Sequence, residues 1–128
     1  MSGQRSTLSF AELNAVNVAR CEAPDGFRHA LKSWSPSDWG VAFGGEAGEV
    51  LDAIKKRNRV IDGIGQPGDP VDADAALNEI ADELADVVIY ADLLATRLGI
   101  DLGAAVAAKF NRTSAKIGSP ARLPTGVA

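Results

Sequence analysis

The sequence has very little cysteine or histidine: Cys21 and His29 are the only residues of their kinds among 128. A single cysteine cannot form an internal disulfide and provides no CxxC pair for a metal or redox centre. A single histidine excludes HExxH zinc proteases, histidine-rich phosphohydrolase sites and di-iron bundles with paired Glu-x-x-His ligands. Any metal chemistry must therefore use oxygen ligands, and the low cysteine content fits a reducing cytoplasm.

Positive charge is also scarce, and long apolar runs are missing. Thirteen Lys and Arg stand against 17 Asp and Glu, which gives a net charge of -4, whereas binding to a phosphate backbone needs a basic surface. The polar segment 1–6 leads into no apolar signal sequence, and no stretch approaches the roughly 20 apolar residues of a membrane span. We therefore expect a soluble protein with neither a nucleic acid polymer nor a membrane as its partner.

What is present is an ordinary globular composition with helical patterning. The chain is 46% hydrophobic and 23% charged, and its length suits one domain with one core. There is no internal repeat or interdomain linker, and strand patterns are nearly absent. The sequence predicts a single all-α domain of the four-helix-bundle type over residues 1–128.

Local signals place the first two helices. The first begins at Ser9, which is spaced to form a capping box with Glu12, and it stops before Pro24. The second begins at the cap Ser35, which is followed by a proline at the favoured first position, and it reaches about Arg59.

The second half of the chain starts with a loop at 61–74 that is rich in Gly, Pro and Asp and is expected to be flexible. A third helix is predicted from about 75 to 98, and a fourth from the cap Asp101 to Ile117. The tail at 118–128 is compatible with either an ordered or a frayed end.

Carboxylates fall on the apolar side of the second and third helices. At about 100° per residue, Glu46 lies in the middle of one apolar stripe, and Glu49 lies one turn later at its edge. Glu83 is central in the other stripe, with Glu79 and Asp86 on its flank. A single pair of acids one turn apart most often marks a solvated face. Two such pairs, each within an apolar stripe, favour a binding site over a solvated face.

An ionised carboxylate that faces a core must be protonated, paired with a cation or bound to a metal ion. The basic side chains near these stripes are few and lie beyond the turn that carries Glu46 and Glu49. Carboxylate-only sites prefer hard cations, so the pattern favours two or more Mg²⁺ or Mn²⁺ ions.

The fourth helix carries Lys109 on the side that its sequence pattern makes apolar, near Leu102 and Val106. Such a lysine can extend its amine to solvent without any further role. It can also reach a phosphate held by the metal ions, with Arg112 and Lys116 one turn away.

Three segments together form a wider pattern of ExxE, a spacer, ExxD and a later basic helix. They are Gly-Glu-Ala-Gly-Glu-Val at 45–50, Asp-Glu-Leu-Ala-Asp-Val-Val-Ile-Tyr at 82–90, and Lys-Phe-Asn-Arg at 109–112. This pattern, spread over about residues 34–117, resembles the MazG-like all-alpha nucleoside triphosphate pyrophosphohydrolases.

The resemblance implies a helical bundle that assembles as a homodimer or, as a dimer of dimers, a homotetramer. It implies that Mg²⁺ or Mn²⁺ is held by Glu46, Glu49, Glu83 and Asp86. Members of this family cleave a nucleoside triphosphate between its alpha and beta phosphates, which releases a monophosphate and pyrophosphate.

The chain departs from the family pattern at two points. Longer MazG proteins have a glutamate where this chain has Gly45, and the spacer between the motifs is long here. An alternative ExxD lies at 79–82, but Asp82 rotates towards solvent, so Glu83 and Asp86 are preferred. Glu79 is then an additional ligand or a hydrogen-bond acceptor behind the ligands.

The ligand set suggests attack on phosphorus by a water that the metal ions activate. Glu46 or Glu49 would take the proton from that water. Lys109, with Arg112 or Lys116, would stabilise the departing pyrophosphate.

The nucleobase requires flat apolar surfaces and polar groups beside them. Tyr90 suits a phosphate or sugar contact and equally suits an ordinary core position. The aromatic candidates for stacking are Trp34, Trp39, Phe27 and Phe43. The polar candidates for the base edge are Asp38, Ser37, Ser35 and Asn17. The second helix also contains four glycines, Gly40, Gly44, Gly45 and Gly48, which would suit a close helix approach or room for substrate.

The compact Gly-Glu-Ala-Gly-Glu motif is most similar to a viral MazZ-type branch of the family, which implies (d)GTP as the substrate and, for a phage protein, the host cytoplasm as its location. The alternatives are a pyrophosphatase that removes dCTP, dUTP or modified nucleotides, and a helical dimerisation module without enzymatic activity.

Overall fold

The computed structural model describes residue 3 and residues 5–126. Four α-helices and one short 3-10 helix make up this part of the chain, which contains no strand. The helices are α1 (Phe10–Glu22), the 3-10 helix (Leu31–Ser33), α2 (Pro36–Ile61), α3 (Ala73–Arg97) and α4 (Leu102–Ile117). The prediction of an all-helical fold with four helices is confirmed. The expectations for positions 1, 2, 4, 127 and 128 lie outside the described residues.

The first two helix starts follow their local signals. The Ser9 side chain accepts a hydrogen bond from the Glu12 backbone, and the Glu12 side chain accepts one from the Ser9 backbone. Ser35 and Asp38 form the same reciprocal pair at the start of α2. Each cap satisfies backbone N–H groups that have no partner inside the helix. Asp38 is therefore engaged in helix capping.

The starts and ends of α3 and α4 are also capped. Asp72 accepts from the Ala75 backbone, so α3 begins at Ala73, two residues before the predicted start. The prediction for α4 is confirmed at both ends, since Asp101 caps its start and Gly118 adopts a left-handed φ of 75° after its last residue.

The loop between α2 and α3 is anchored by an ion pair that the sequence pattern did not predict. Arg59 donates to both carboxylate oxygens of Asp69, at 2.9 and 2.6 Å. The backbone N–H of Gln66 also donates to Asp69, whose side chain is only 5% exposed. Hydrogen bonding to Arg59 lowers the pKa of Asp69 to about 2.

Helices α2 and α3 run antiparallel and form the main packed pair, and α1 packs on α3. A cluster of buried hydrophobic residues lies at one end of this pair and consists of Cys21, Leu31, Trp39 and Leu93. The indole N–H of Trp39 donates to the Leu31 carbonyl oxygen at 2.9 Å, which fixes the 3-10 helix against α2. The first turns of α2 are thereby held beside α1 and α3.

A buried polar network joins α1 to α3. Asp92, which is 2% exposed, accepts hydrogen bonds from the side-chain amides of Asn14 and Asn17. Asn17 also donates to the Ile89 carbonyl oxygen, and Asn14 donates to the Thr96 hydroxyl. A buried carboxylate needs such donors because losing them would leave its charge without compensation.

Helix α4 contacts α3 and α1 but makes no contact with α2. Its buried positions are Ala107 and Ser114, so the apolar side expected from the sequence, which includes Lys109, is exposed instead. Asn111 exchanges two hydrogen bonds with the backbone of Leu123, and these hold part of the tail against α4.

Within the described part of the chain, each helix is too short or too polar to span a membrane.

Replacing Asp69 with asparagine should destabilise the fold at neutral pH, because the ion pair that anchors the loop is lost. The pKa of Asp69 in the fold is about 2, against an ordinary value of 3.8. The contribution of the pair is therefore complete above about pH 4 and is lost as the pH falls through about 2. Urea unfolding followed by circular dichroism at pH 7 and pH 2 measures the difference between variant and wild type.

The exposed residue Asp62, which makes no ion pair within the described residues, provides the control Asp62→Asn. A stability difference between Asp69→Asn and wild type that is the same at both pH values would contradict this role of the pair.

Candidate functional site

Three carboxylates from two helices converge at the middle of the α2–α3 pair. Glu46 and Glu49 project from α2 and Glu83 from α3, and one oxygen of each lies within 4.8 Å of the others. Glu46 and Glu83 are half-buried, whereas Glu49 reaches in from the exposed edge. These positions agree with the apolar stripes in the sequence, which place Glu46 and Glu83 centrally and Glu49 at the margin.

The cluster lacks partners for two of its buried atoms. Oε2 of Glu46 and Oε2 of Glu83 are buried, and no donor within the described residues reaches either atom. A buried carboxylate oxygen without a donor is destabilising. Three carboxylates with free oxygens are the ligand type that Mg²⁺ and Mn²⁺ prefer, so the residues present fit a divalent cation.

Neighbouring acids also raise the pKa values of two members of the cluster, Glu46 and Glu83. Burial, followed by the charges of Glu49 and Asp86, raises the pKa of Glu46. Hydrogen bonding with Glu49 raises the pKa of Glu83, and burial and the charges of the neighbouring acids act in the same direction. A cation between the carboxylates would remove this repulsion.

Asp86 lies beside the cluster, outside the trio of closest oxygens. Its charge raises the pKa of both Glu46 and Glu83, and its side chain lines the adjoining cleft. Glu79 and Asp82, the alternative ExxD pair, are exposed and do not belong to the cluster. The structure therefore places Glu83, from the motif that the sequence favoured, in the cluster and leaves Glu79 and Asp82 outside it.

A cleft of about 340 Å³ opens next to the acidic cluster, and its wall includes Glu46 of the cluster and the neighbouring Asp86. Five aromatic side chains also line it, namely Phe27, His29, Trp34, Trp39 and Tyr90. Flat apolar walls beside a few polar groups are typical of a site for a small organic ligand.

The aromatic side chains form a continuous wall. The ring centroids of Trp34 and Trp39 are 4.7 Å apart, and the ring centroid of His29 lies 4.3 Å from that of Trp34 in an edge-on arrangement. Trp39 is only 2% exposed and belongs to the core, whereas Trp34 is half-buried. Trp34 is therefore the better placed of the two tryptophans for stacking on a ligand.

The remaining aromatic and acidic candidates are placed differently. Phe27 lines the cleft, and its ring lies 5.3 Å from the guanidinium of Arg20. Phe43 is half-buried on α2 and does not line the cleft. Asp38 lies outside the cleft wall. Tyr90 lies in the wall, and burial, followed by the charges of Glu46 and Asp86, raises its pKa.

The basic residues of α4 are not brought to the cluster within one chain. Lys109, Arg112 and Lys116 are exposed, and none of them lines the cleft. Among the described residues, Arg20 is the only arginine or lysine in the cleft wall.

The wall formed by α1 was largely missed at the level of sequence. Asn17, Arg20 and Cys21 line the cleft, but only Asn17 was a candidate. Burial, followed by the charge of Glu22, raises the pKa of Cys21, whose thiol donates to the His29 carbonyl oxygen. The available signal was the spacing of these residues by three and four positions, which places them on one face of α1.

The comparisons with known proteins support the family resemblance over part of the chain. A model of the MazG-like family matches residues 70–122, which include α3, α4 and the second acidic motif. This family generally comprises nucleoside triphosphate pyrophosphohydrolases that depend on divalent metal ions. The comparisons with curated proteins and with solved structures gave no significant match.

Glu83→Gln should raise the melting temperature in metal-free buffer, because it removes one of several mutually repelling carboxylates. Adding Mn²⁺ should then stabilise the wild type more than the variant, since a cation that binds only the folded state raises its stability by mass action. Thermal unfolding in EDTA and in Mn²⁺ measures both effects.

Glu79→Gln is the matched control, since Glu79 is exposed one turn earlier on the same helix. Its melting temperatures should follow those of the wild type in both buffers. A wild type that does not respond to Mn²⁺ would contradict a cation site at the cluster.

Proposed function

We propose that this protein is a metal-dependent nucleotide pyrophosphohydrolase. It converts a (d)NTP, preferentially (d)GTP, to the monophosphate and pyrophosphate. The observation that carries this proposal is the cluster of Glu46, Glu49 and Glu83 with its unpartnered oxygens beside an aromatic cleft. The family match over residues 70–122 supports the class of reaction.

The two acids in the cleft wall suggest which phosphate of the nucleotide would react. Glu46 and Asp86 line the cleft, so a base that stacks on Trp34 leads through its sugar to these acids. The alpha phosphate is the first phosphate after the sugar. Attack at this phosphorus breaks its bond to the bridging oxygen of the beta phosphate, and pyrophosphate leaves.

The acids would have two roles in this reaction, namely to bind the cations and to accept the proton of the attacking water. Divalent cations held by Glu46, Glu49, Glu83 and Asp86 would neutralise phosphate charge and make the attacking water more acidic. Glu46 takes the proton of that water at Oε2, which has no donor in the described residues.

We base the preference for (d)GTP on the resemblance of the segment at 45–50 to the viral MazZ-type branch. A protein of this kind would control the nucleotide pool, and a site that grips the alpha phosphate suits dGDP as well. Pyrophosphatases of dCTP, dUTP or modified nucleotides remain the alternative outcomes of a substrate panel.

We further propose that the functional unit is a homodimer, alone or as half of a homotetramer. Gly40, Gly44 and Gly48 have open space where a side chain would be: apart from the chain neighbours and the backbone of the same helix, no described atom lies within 4 Å of a Cβ built at these positions. Each helical glycine is destabilising by about 1 kcal/mol relative to alanine. Large apolar side chains are also exposed on all four helices. They include Val41, Leu51, Leu84, Val88 and Phe110. A second copy that packs on these faces would account for both features.

A dimer also offers a source of positive charge for the departing pyrophosphate. Because α4 makes no contact with α2 of its own chain, Lys109 would reach the cluster of the partner, with Arg112 or Lys116 beside it.

A panel of dNTPs and NTPs with Mg²⁺ tests the reaction through its products. We expect pyrophosphate and a monophosphate, with the fastest turnover for dGTP. Glu49→Gln and Asp86→Asn should each lower kcat/KM by about 100-fold or more, because ligands to the cations are lost. Circular dichroism should show an intact fold, and Glu79→Gln should keep wild-type activity.

Orthophosphate as the only inorganic product would indicate terminal cleavage and contradict the proposal. A folded protein that cleaves no nucleotide would favour the dimerisation module.

Mixing two weakened variants tests whether Lys109 acts across the dimer. Lys109→Ala should lower turnover by about 10- to 100-fold, less than the loss of a ligand does. In a mixed dimer of Lys109→Ala and Glu49→Gln chains, one site would have Glu49 of one chain and Lys109 of the other. Activity should then recover to about a quarter of wild type, because random pairing leaves one site in four intact.

No recovery after verified subunit exchange would show that Lys109 does not act across the dimer interface.

A further inference from the structure

The side-chain amide of Asn17 has only one atom left for a ligand. Asn17 is 5% exposed and lines the cleft. Its Nδ2 donates to the Ile89 carbonyl oxygen at 2.9 Å and to Oδ2 of Asp92 at 3.0 Å. An amide NH₂ has two hydrogens, so both are used. Nothing in the described part of the chain donates to Oδ1.

The orientation of this amide is set by its two partners. A backbone carbonyl and a carboxylate can only accept hydrogen bonds. If the Asn17 amide rotated by 180°, its oxygen would face both acceptors and the two hydrogen bonds would be lost. The only hydrogen-bonding side-chain atom that Asn17 can offer to a ligand in the cleft is therefore its carbonyl oxygen.

Asp92 contributes to this arrangement from outside the cleft. It is 2% exposed, and its carboxylate is held from the other side by the amide of Asn14 at 3.2 and 3.3 Å. An asparagine at position 92 would have the same shape but could offer an NH₂ to Asn17. The carboxylate and the Ile89 carbonyl oxygen together therefore determine which atom of Asn17 is available to a ligand.

His29 gives the cleft a second acceptor. Its Nδ1 lies 3.0 Å from both the Ala30 carbonyl oxygen and the Ser33 hydroxyl. The Ser33 hydroxyl donates its own hydrogen to the Ala30 carbonyl oxygen at 2.7 Å, so we assign the hydrogen of the neutral ring to Nδ1. Nε2 is then an acceptor on a ring that also lines the cleft. Two acceptors in one cleft favour a ligand edge that is rich in N–H donors.

We propose that Asp92 is a positioning residue for base recognition. By orienting the Asn17 amide, it makes Oδ1 accept a hydrogen bond from an N–H on the six-membered ring of a purine. The inference rests on the proposed function in taking the occupant of the cleft to be a nucleotide. Guanine fits best among the common bases, because its N1–H and 2-amino group are adjacent donors on one edge.

Three nucleotides in EDTA test the inference without hydrolysis. They are the 5′-monophosphates of 2′-deoxyguanosine, of 2′-deoxyinosine, which lacks the 2-amino group, and of unsubstituted purine 2′-deoxyriboside, which has no N–H on this ring. Fluorescence of Trp34 and Trp39 reports binding, since both line the cleft. Affinity should fall in that order, by about three- to tenfold for each hydrogen bond lost.

Asp92→Asn should flatten this order, because only one of the two terminal atoms of an asparagine side chain is an acceptor, so the Asn17 amide is held less firmly in the orientation that leaves Oδ1 for a ligand. Asn14→Ala is the matched control: it removes another donor to Asp92 but does not alter the cleft wall. This control should lower the melting temperature and leave the order of the three nucleotides unchanged. A purely structural role for Asp92 would give the same result in both variants.

Asn17→Leu provides a second route if Asp92→Asn does not fold, and it should bind the three nucleotides with similar affinity. Equal affinities in the wild type, no binding of any probe, or a wild-type order in folded Asp92→Asn or Asn17→Leu would overturn the inference.

The two proposals fail separately in these experiments. Selective binding in EDTA without nucleotide cleavage would refute only the proposed reaction. Cleavage of dGTP to the expected products without dependence on N–H donors would refute only the role of Asp92.

Discussion

Mutual repulsion among acids that face inward is the constraint on which the site depends. Glu46, Glu49 and Glu83 are held together by the packing of α2 on α3, and burial makes their charges harder to accommodate. The helices stay paired because Trp39 and Leu93 bury apolar surface in the core while the Arg59–Asp69 ion pair anchors the other end. The fold thus supplies the stability that the acidic centre lacks.

The acidic cluster and the aromatic cleft use different elements of the same packed pair. The acids lie along the middle of α2 and α3, whereas the cleft is closed by α1 and the segment that leads to the 3-10 helix. Glu46 belongs to both and Asp86 lies between them, so the distance from the aromatic wall to the acids is set by the helix packing. The acidic surface and the aromatic surface are thus joined in one site.

Features governed by local rules could be predicted from the sequence. The helix caps at Ser9, Ser35 and Asp101 follow from side chains within three residues of each helix start. The inward positions of Glu46 and Glu83 follow from the helical period alone. The start of α3 lies two residues before its predicted position, because Asp72 caps the helix ahead of the apolar pattern.

Features set by distant contacts could not be predicted in this way. The face of α1 that lines the cleft depends on which side packs against α3, and its own weak amphipathic pattern does not decide this. The Arg59–Asp69 pair joins a helix to a loop rich in turn residues, where composition indicates only irregular structure. For α4, the buried side is made of small residues, so its larger apolar side chains pointed to the wrong face.

Gly103 sets the spacing between the first turns of α4 and α1. A methyl group at this position would lie 2.9 Å from the Cβ of Phe10, the first residue of α1. A bulkier residue at 103 would therefore require the first turn of α1 or of α4 to shift. A single hydrogen atom in place of a side chain thus lets the starts of the two helices approach closely.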